Sequence, residues 1–194
     1  MKKLTRTDLF SLEKYSEMRA EFREQVMQHK QSRRLPIGPN ATLYFEDRTT
    51  IQYQVQEMLR IEKIFDADGI EEELLAYNPL IPDGHNWKAT FMIEFDDPEE
   101  RKQRLAGLVG IEDCIWMRVG DNKLIIPVCD EDLERATEDK TSAVHFTRFE
   151  LTQTDVAALG DGAAIAAGIC HQGYNYTVEP IPAPIQAALL QDID

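Results

Sequence analysis

"NWKATFMIEF", residues 86–95, decides the fold class. Trp87, Ala89, Phe91, Ile93 and Phe95 fall on one side of an extended chain, and Lys88, Thr90, Met92 and Glu94 fall on the other. That period of two belongs to a strand with one apolar and one mixed face. The next stretch, "DPEERKQRLAGLVG" (97–110), is punctuated as a helix. Asp97 stands at the N-cap, Pro98 at the first helical position, Glu100 at the third and Gly110 beyond the end.

Downstream, "SAVHFTRFEL" (142–151) is a second strand, with Val144, Phe146, Arg148 and Glu150 on one face and His145, Thr147 and Phe149 on the other. "CIWMRV" (114–119) and "KLIIPVC" (123–129) around "GDN" predict a β-hairpin. "TQTDVAAL" (152–159) is a helix opened by a capping-box-like Thr152 and Asp155. "GAAIAAGICH" (162–171) is a strand of small residues and "APIQAALLQDI" (183–193) a terminal helix.

Upstream, residues 7–34 form an amphipathic helix with Thr7 or Ser11 as its cap and Leu12, Tyr15, Phe22 and Val26 along one stripe. "LPIGPN" (35–40) stops it and serves as a linker. "ATLYFED" (41–47) is a short strand or the lead-in to a helix over 48–65. That helix ends at "DADG" (66–69), and a short helix, "IEEELLAY" (70–77), runs into the irregular "NPLIPDG" (78–84). There is no repeating βα unit and no G-x-G-x-x-G fingerprint. The expected architecture is therefore α+β, a single domain with a largely antiparallel sheet covered by helices. An N-terminal helical arm, 1–34, precedes a globular body, 35–194.

Charge and cysteine usage narrow the class. The chain has 194 residues and a formal charge of −14, which disfavours nucleic acid and anionic membrane, both bound chiefly by neutralising phosphate. Residues 1–34 hold nine Lys or Arg against five Asp or Glu. Of totals of 21 and 35, that leaves 12 basic and 30 acidic residues for the body. The basic helix either docks on its own acidic domain or reaches a second subunit in a homo-oligomer. No apolar run of about 18 residues is present and the N-terminus lacks a signal-peptide core, so the expectation is a cytoplasmic protein without a membrane partner. Cys114, Cys129 and Cys170 are widely spaced, with no C-x-x-C pair. They are expected to be buried thiols rather than a disulfide framework or a metal knuckle.

The polar candidates come from positions that local pattern leaves unexplained. On the helix "IQYQVQEMLRIEKIF" (51–65), an arc collects Val55, Met58, Leu59, Ile61 and Phe65, and Glu62 falls near its centre. A buried carboxylate needs a cation, and Arg148 is the first choice, His145 the second. Arg148 and Glu150 pair at a sheet rim or present an anion-binding arginine. Asp83, His85 and Asn86 lie just before a strand, a common place for binding residues. The four histidines include no H-x-x-x-H pair, so a metal site would have to be assembled from distant segments, for example His145 and His85 with Glu62 or Glu57. No motif names a cofactor.

"TLYFEDRTTIQYQVQEMLRIEKIF", "EEELLAYNPLIPDGHNWKATFMIE", "GIED" and "KTSAVHFTRFEL" resemble domain-of-unknown-function family 3501, and the similarity runs from "LTRTDLFSLEKY" nearly to the C-terminus. The resemblance implies no catalytic residue. It implies an association with rubrerythrin-like and iron–sulfur oxidoreductase partners, hence with redox or peroxide chemistry. In "EMLR", Glu57 is followed three residues later by Arg60 where rubrerythrin's Glu-x-x-His has histidine, which argues against a di-iron site. The favoured function is a non-catalytic accessory or binding component. The alternative is an enzyme using a Glu/Arg/His pocket on a small molecule, with or without a metal.

Overall fold

The structure is a computed structural model, and it describes residues 2–132, 135 and 140–194. The strand anticipated at 86–95 is β3 (Asn86–Ile93), with Trp87, Ala89, Phe91 and Ile93 buried as their alternation requires. It occupies the middle of a five-stranded sheet. On one side lie β2 (Ala41–Phe45) and the edge strand β1 (Arg34–Ile37), and on the other β6 (Val144–Glu150) and the short edge strand β5 (Val128–Cys129). A second sheet is built from β4 (Ile115–Val119), β7 (Ile165–His171) and β8 (Tyr174–Val178). Every strand pairing is antiparallel.

The inner faces of the two sheets share one core, in which Phe45, Trp87, Phe91 and Phe149 meet Ile115, Met117, Ile165 and Ile169. α4 (Pro98–Ala106), α5 (Gln153–Gly160) and α6 (Ala183–Leu190) close that core; Leu105, Leu159 and Leu189 are their buried contributions. The cap residues read from sequence act as expected. Asp97 Oδ1 accepts from Glu100 N at 2.7 Å, and Thr152 and Asp155 form a complete capping box.

The remaining helices stand on the outer face of the five-stranded sheet. α1 (Leu12–Gln31), capped by Ser11, packs along α2 (Arg48–Glu62), and α3 (Ala67–Tyr77) packs on α2 from the other side. A separate apolar cluster, with Leu4, Ile51, Val55, Leu59, Leu74 and Ile81 at its centre, binds α2, α3 and the N-terminal residues together. The sheet beneath is only partly covered. Lys88, Thr90, Met92, Val144, Phe146 and Arg148 on its outer face are half-buried.

Four readings are corrected. Residues 34–37 form a strand, not a linker. Leu35 and Ile37 face the core while Pro36, which cannot donate to a ladder, is exposed on the edge strand. The hairpin expected around "GDN" does not form. Residue 125 makes a single bridge to Met117, and the chain then crosses to the other sheet as β5, with Pro127 interrupting the run. β8 was not anticipated; it returns from β7 through the tight turn at Gln172–Gly173. α2 ends at Glu62 with Lys63 in the left-handed region (φ 56°), so Phe65 lies outside the helix.

Tyr174 ties the two sheets. Its hydroxyl donates to Ile37 O (2.8 Å) and accepts from Asn40 N (2.9 Å) and Ala41 N (3.0 Å), filling the β1–β2 turn where Gly38 (φ +74°) lets the chain reverse.

Candidate binding cleft

Glu62 and Arg148 do not meet. Glu62 is exposed and has no ion pair among the described residues. Arg148 forms a bidentate pair with Glu131 (2.7 and 2.8 Å) and a short contact with Glu150. His145 is not a partner either, since it faces the inter-sheet core with no exposed surface. The buried stripe of α2 is Ile51, Val55 and Leu59, widened by Thr50, Tyr53 and Gln56 beneath α1, while Ile61 and Phe65 are exposed. The buried polar side chains on that helix include Gln56, whose amide accepts from Phe10 N (2.6 Å) and donates to Phe10 O.

The other sequence candidates fall into three groups. Glu57 joins α1 to α2. It accepts from Tyr15 Oη (2.7 Å) and from Arg19 through two bonds (2.7 and 2.8 Å), with Arg60 at its outer side. These partners, Arg19 first, hold its carboxyl down at about 2. Asp83, Asn86, Arg148 and Glu150 come together in one network. Asn86 Nδ2 donates to Asp83 Oδ2 (2.9 Å) and Glu150 Oε1 (3.0 Å), and Asp83 Oδ1 accepts from the backbone N of the exposed His85. This network fastens the loop before β3 to the end of β6.

His145 belongs to the third group, a buried polar cluster. Its Nδ1 lies 2.6 Å from Asp130 Oδ2, and its Nε2 lies 2.9 Å from Thr141 Oγ1 and 3.1 Å from Ser142 O. Thr141 Oγ1 in turn donates to Glu112 Oε2 (3.0 Å). Asp130 adopts φ +52° and also accepts from Phe146 N (2.9 Å). The same carboxylate therefore orients the imidazole and ties the residue that follows β5 to the β6 backbone. Among the described residues no group of three or more His, Cys, Asp or Glu is placed to hold a metal ion.

An open cleft lies between the outer face of the five-stranded sheet and α2–α3. One lobe, about 620 Å³, has Lys88, Phe146 and Arg148 as its floor and Met58, Leu75 and Leu80 among its walls. A second lobe, about 540 Å³, continues over Thr90, Met92 and Val144 toward α1, and the lobes share Tyr77, Leu80 and Phe146. Both volumes suit a ligand or a partner side-chain cluster. Sequence reasoning missed this cleft. Its residues are local outliers only in retrospect: Leu75 is a leucine on the solvent side of an acidic helix, 73% exposed.

Its charges are unevenly satisfied. Lys88 Nζ donates to Pro79 O (2.6 Å) and Ile81 O (3.2 Å), and burial, reinforced by Arg148, pushes its ammonium pKa down. Lys3 Nζ reaches the same Ile81 carbonyl, 2.8 Å away. On the helical rim Glu62, Glu72 and Glu73 have no ion pair with a described residue, and burial, then Glu62 and Glu72, push the Glu73 carboxyl up. The cleft combines apolar walls with Lys88 and Arg148 in its floor and Glu73 on its helical lip, where Glu62 and Glu72 lie within electrostatic reach.

Comparison with known proteins places the chain without assigning it an activity. The family model described as "Protein of unknown function (DUF3501)" matches residues 3–193. The crystal structure of a protein of unknown function from Burkholderia pseudomallei K96243 is similar at 47% identity, covering 100% of both chains, with a TM-score of 0.91. No curated protein matches the chain. No helix among the described residues is long and apolar enough to cross a membrane.

Proposed function

The chain belongs to the DUF3501 family of proteins of unknown function, and we propose that it is a non-catalytic binding component that holds a basic amphipathic segment of a partner protein in the outer-face cleft. The observation that carries this reading is Leu75, 73% exposed at the lip of a groove with apolar walls and flanked by carboxylates that lack cations. A helix laid in the groove would bury Leu75, Met58 and Phe146 against its apolar side. Lysines or arginines on its flanks would reach Glu62, Glu72 and Glu73. Such cations would also offset the like charges of Glu62 and Glu72, which add to burial in pushing the Glu73 carboxyl up. The redox association implied by the family resemblance belongs to the same proposal: the partner would be a rubrerythrin-like or iron–sulfur oxidoreductase component.

The test is calorimetric titration with a synthetic Leu/Lys amphipathic helix and its Leu/Glu counterpart. The Leu/Lys peptide is expected to bind, less tightly in high salt. Leu75→Ser and Glu73→Gln should weaken it, and Glu99→Gln, on the distant exposed start of α4, should not. Equal binding of both peptides, or indifference to Leu75→Ser, overturns the reading.

The competing reading is an enzyme acting through a Glu/Arg/His pocket, with or without a metal. It draws support from the Asp130–His145–Thr141–Glu112 cluster. It requires an opening that exposes His145. A stoichiometric transition metal in protein purified without chelator or nickel would favour it.

A further inference from the structure

The register of the smaller sheet brings together two cysteines that lie 56 positions apart in the chain. β4 and β7 pair with Ile115 opposite Ile169, Trp116 opposite Gly168 and Met117 opposite Ala167. The register extended one step past Ile115–Ile169 brings Cys114, the last residue of the 3-10 turn Ile111–Cys114 that leads into β4 and lies against β7, opposite Cys170. Both thiols are free.

The two also share a face. Along β7 the core-facing residues are Ile165, Ala167, Ile169 and His171, so Gly168 and Cys170 point outward. On β4 Trp116 covers Gly168 so closely that a Cβ there would lie 2.4 Å from the indole ring, which fixes Trp116 on that outward face. Cys114 precedes it by two positions, and Ile115 between them is extended. Directly opposed residues of an antiparallel pair have Cα atoms about 4.5–5.5 Å apart, within the roughly 4.4–6.8 Å that a disulfide spans.

Exposure separates their roles. Cys170 is the exposed residue of an otherwise buried strand, while Cys114 is half-buried. Burial, then Asp113 and then Cys170 itself, push the Cys114 thiol up, as expected of two thiols within electrostatic reach. Cys129 is elsewhere, on β5, where its thiol donates to Glu112 O at 3.4 Å.

We infer that Cys114 and Cys170 form an oxidisable dithiol site that closes across the β4–β7 ladder when the protein meets a hydroperoxide. The exposed Cys170 thiolate attacks the peroxide oxygen; the O–O bond breaks, Cys170 becomes a sulfenic acid, and hydroxide (or alkoxide) leaves. Cys114 then attacks the sulfenic sulfur, forming the S–S bond, and the sulfenic hydroxyl leaves with the Cys114 proton as water, while the hydroxide of the first step takes up the proton that Cys170 lost on ionising. With hydrogen peroxide, two thiols and one peroxide give one disulfide and two waters. Two electrons pass from sulfur to oxygen. The site is independent of the cleft and of its proposed ligand.

Hydrogen peroxide added to the full-length protein, followed by denaturing alkylation with N-ethylmaleimide, intact mass and peptide mapping, tests this directly. Untreated protein should take up an adduct on each of its three cysteines. Treated protein should take up one, on Cys129, with the Cys114 and Cys170 peptides linked within one chain, and dithiothreitol should restore all three. In Cys114→Ser, Cys170 should stop at a sulfenic acid that dimedone traps. A treated wild-type protein in which Cys170 is over-oxidised while Cys114 still alkylates overturns the inference. So does one whose main product is a Cys170–Cys170 bridge between chains.

Discussion

Arg33 and Asp192 form a bidentate ion pair across nearly the whole chain, Nη1 to Oδ2 at 2.8 Å and Nη2 to Oδ1 at 2.9 Å, with both side chains buried. Arg33 Nε also lies 2.9 Å from Asp47 Oδ2, the N-cap of α2, and the Arg33 Nη2 atom reaches Ala188 O. One guanidinium thus fastens the end of α1 to the start of α2 and to α6. Removing either partner strands a charge in a dry site. Arg33→Met or Asp192→Asn is therefore expected to cost about 3–5 kcal/mol, and the double variant less than the sum of the two. Denaturant unfolding of the three variants checks it. Additive costs would contradict it.

Glu57 gives the α1–α2 contact a pH dependence. Its folded pKa, about 2, lies below the ordinary carboxylate value, so the contribution is fully present above about pH 4.5 and is lost as pH falls toward 2. Discounted for partial solvent contact, it is on the order of 1–3 kcal/mol. The melting temperature of Glu57→Gln should trail the parent at neutral pH, and the gap should close on acidification. A gap that stays constant down to pH 2 contradicts this.

Tyr174→Phe should cost about 1–3 kcal/mol while changing almost no apolar contact, because it leaves Asn40 N and Ala41 N without the hydroxyl they donate to. Amide exchange checks the mechanism. Those two N–H groups should lose protection far more than the middle of β2.

Burial pushes the Cys129 thiol up to about 12, with Asp130 the next contributor. Cys129 should therefore be alkylated last in the native reduced protein and exposed Cys170 before it. Time-resolved peptide mapping with iodoacetamide reads the order, and early labelling of Cys129 would be inconsistent with its burial.

Coupling between Glu62 and Arg148 should be near zero in a double-mutant cycle, and that between Arg148 and the exposed Glu131 about 0–1 kcal/mol. The contrast explains where local reading stops. β3, β6, α4 and α5 were legible because a period of two or a cap-to-stop pattern is complete within each segment. The buried side of α2 was not, because α1 and Phe10 cover Tyr53 and Gln56 from another part of the chain. The arc drawn from sequence also counted Phe65, which the left-handed Lys63 places beyond the helix. β8 had its signal in the turn "QG" followed by "YNYTV", and β1 in the alternation of Leu35 and Ile37, masked by Pro36. The cleft had none, since Leu75, Lys88 and Phe146 meet only through tertiary packing.

The order of strands in the two sheets limits how the molecule can be taken apart. β4 of the smaller sheet falls between β3 and β5 of the larger one along the chain, and β7 and β8 follow β6. No single cut separates the two sheets: one after β6 keeps β4 with the larger sheet, and one before β4 carries β5 and β6 away with the smaller. The cleft and the cysteine pair, on different sheets, cannot be isolated as expressible pieces, and dissection of their roles has to proceed through point substitutions in the intact chain.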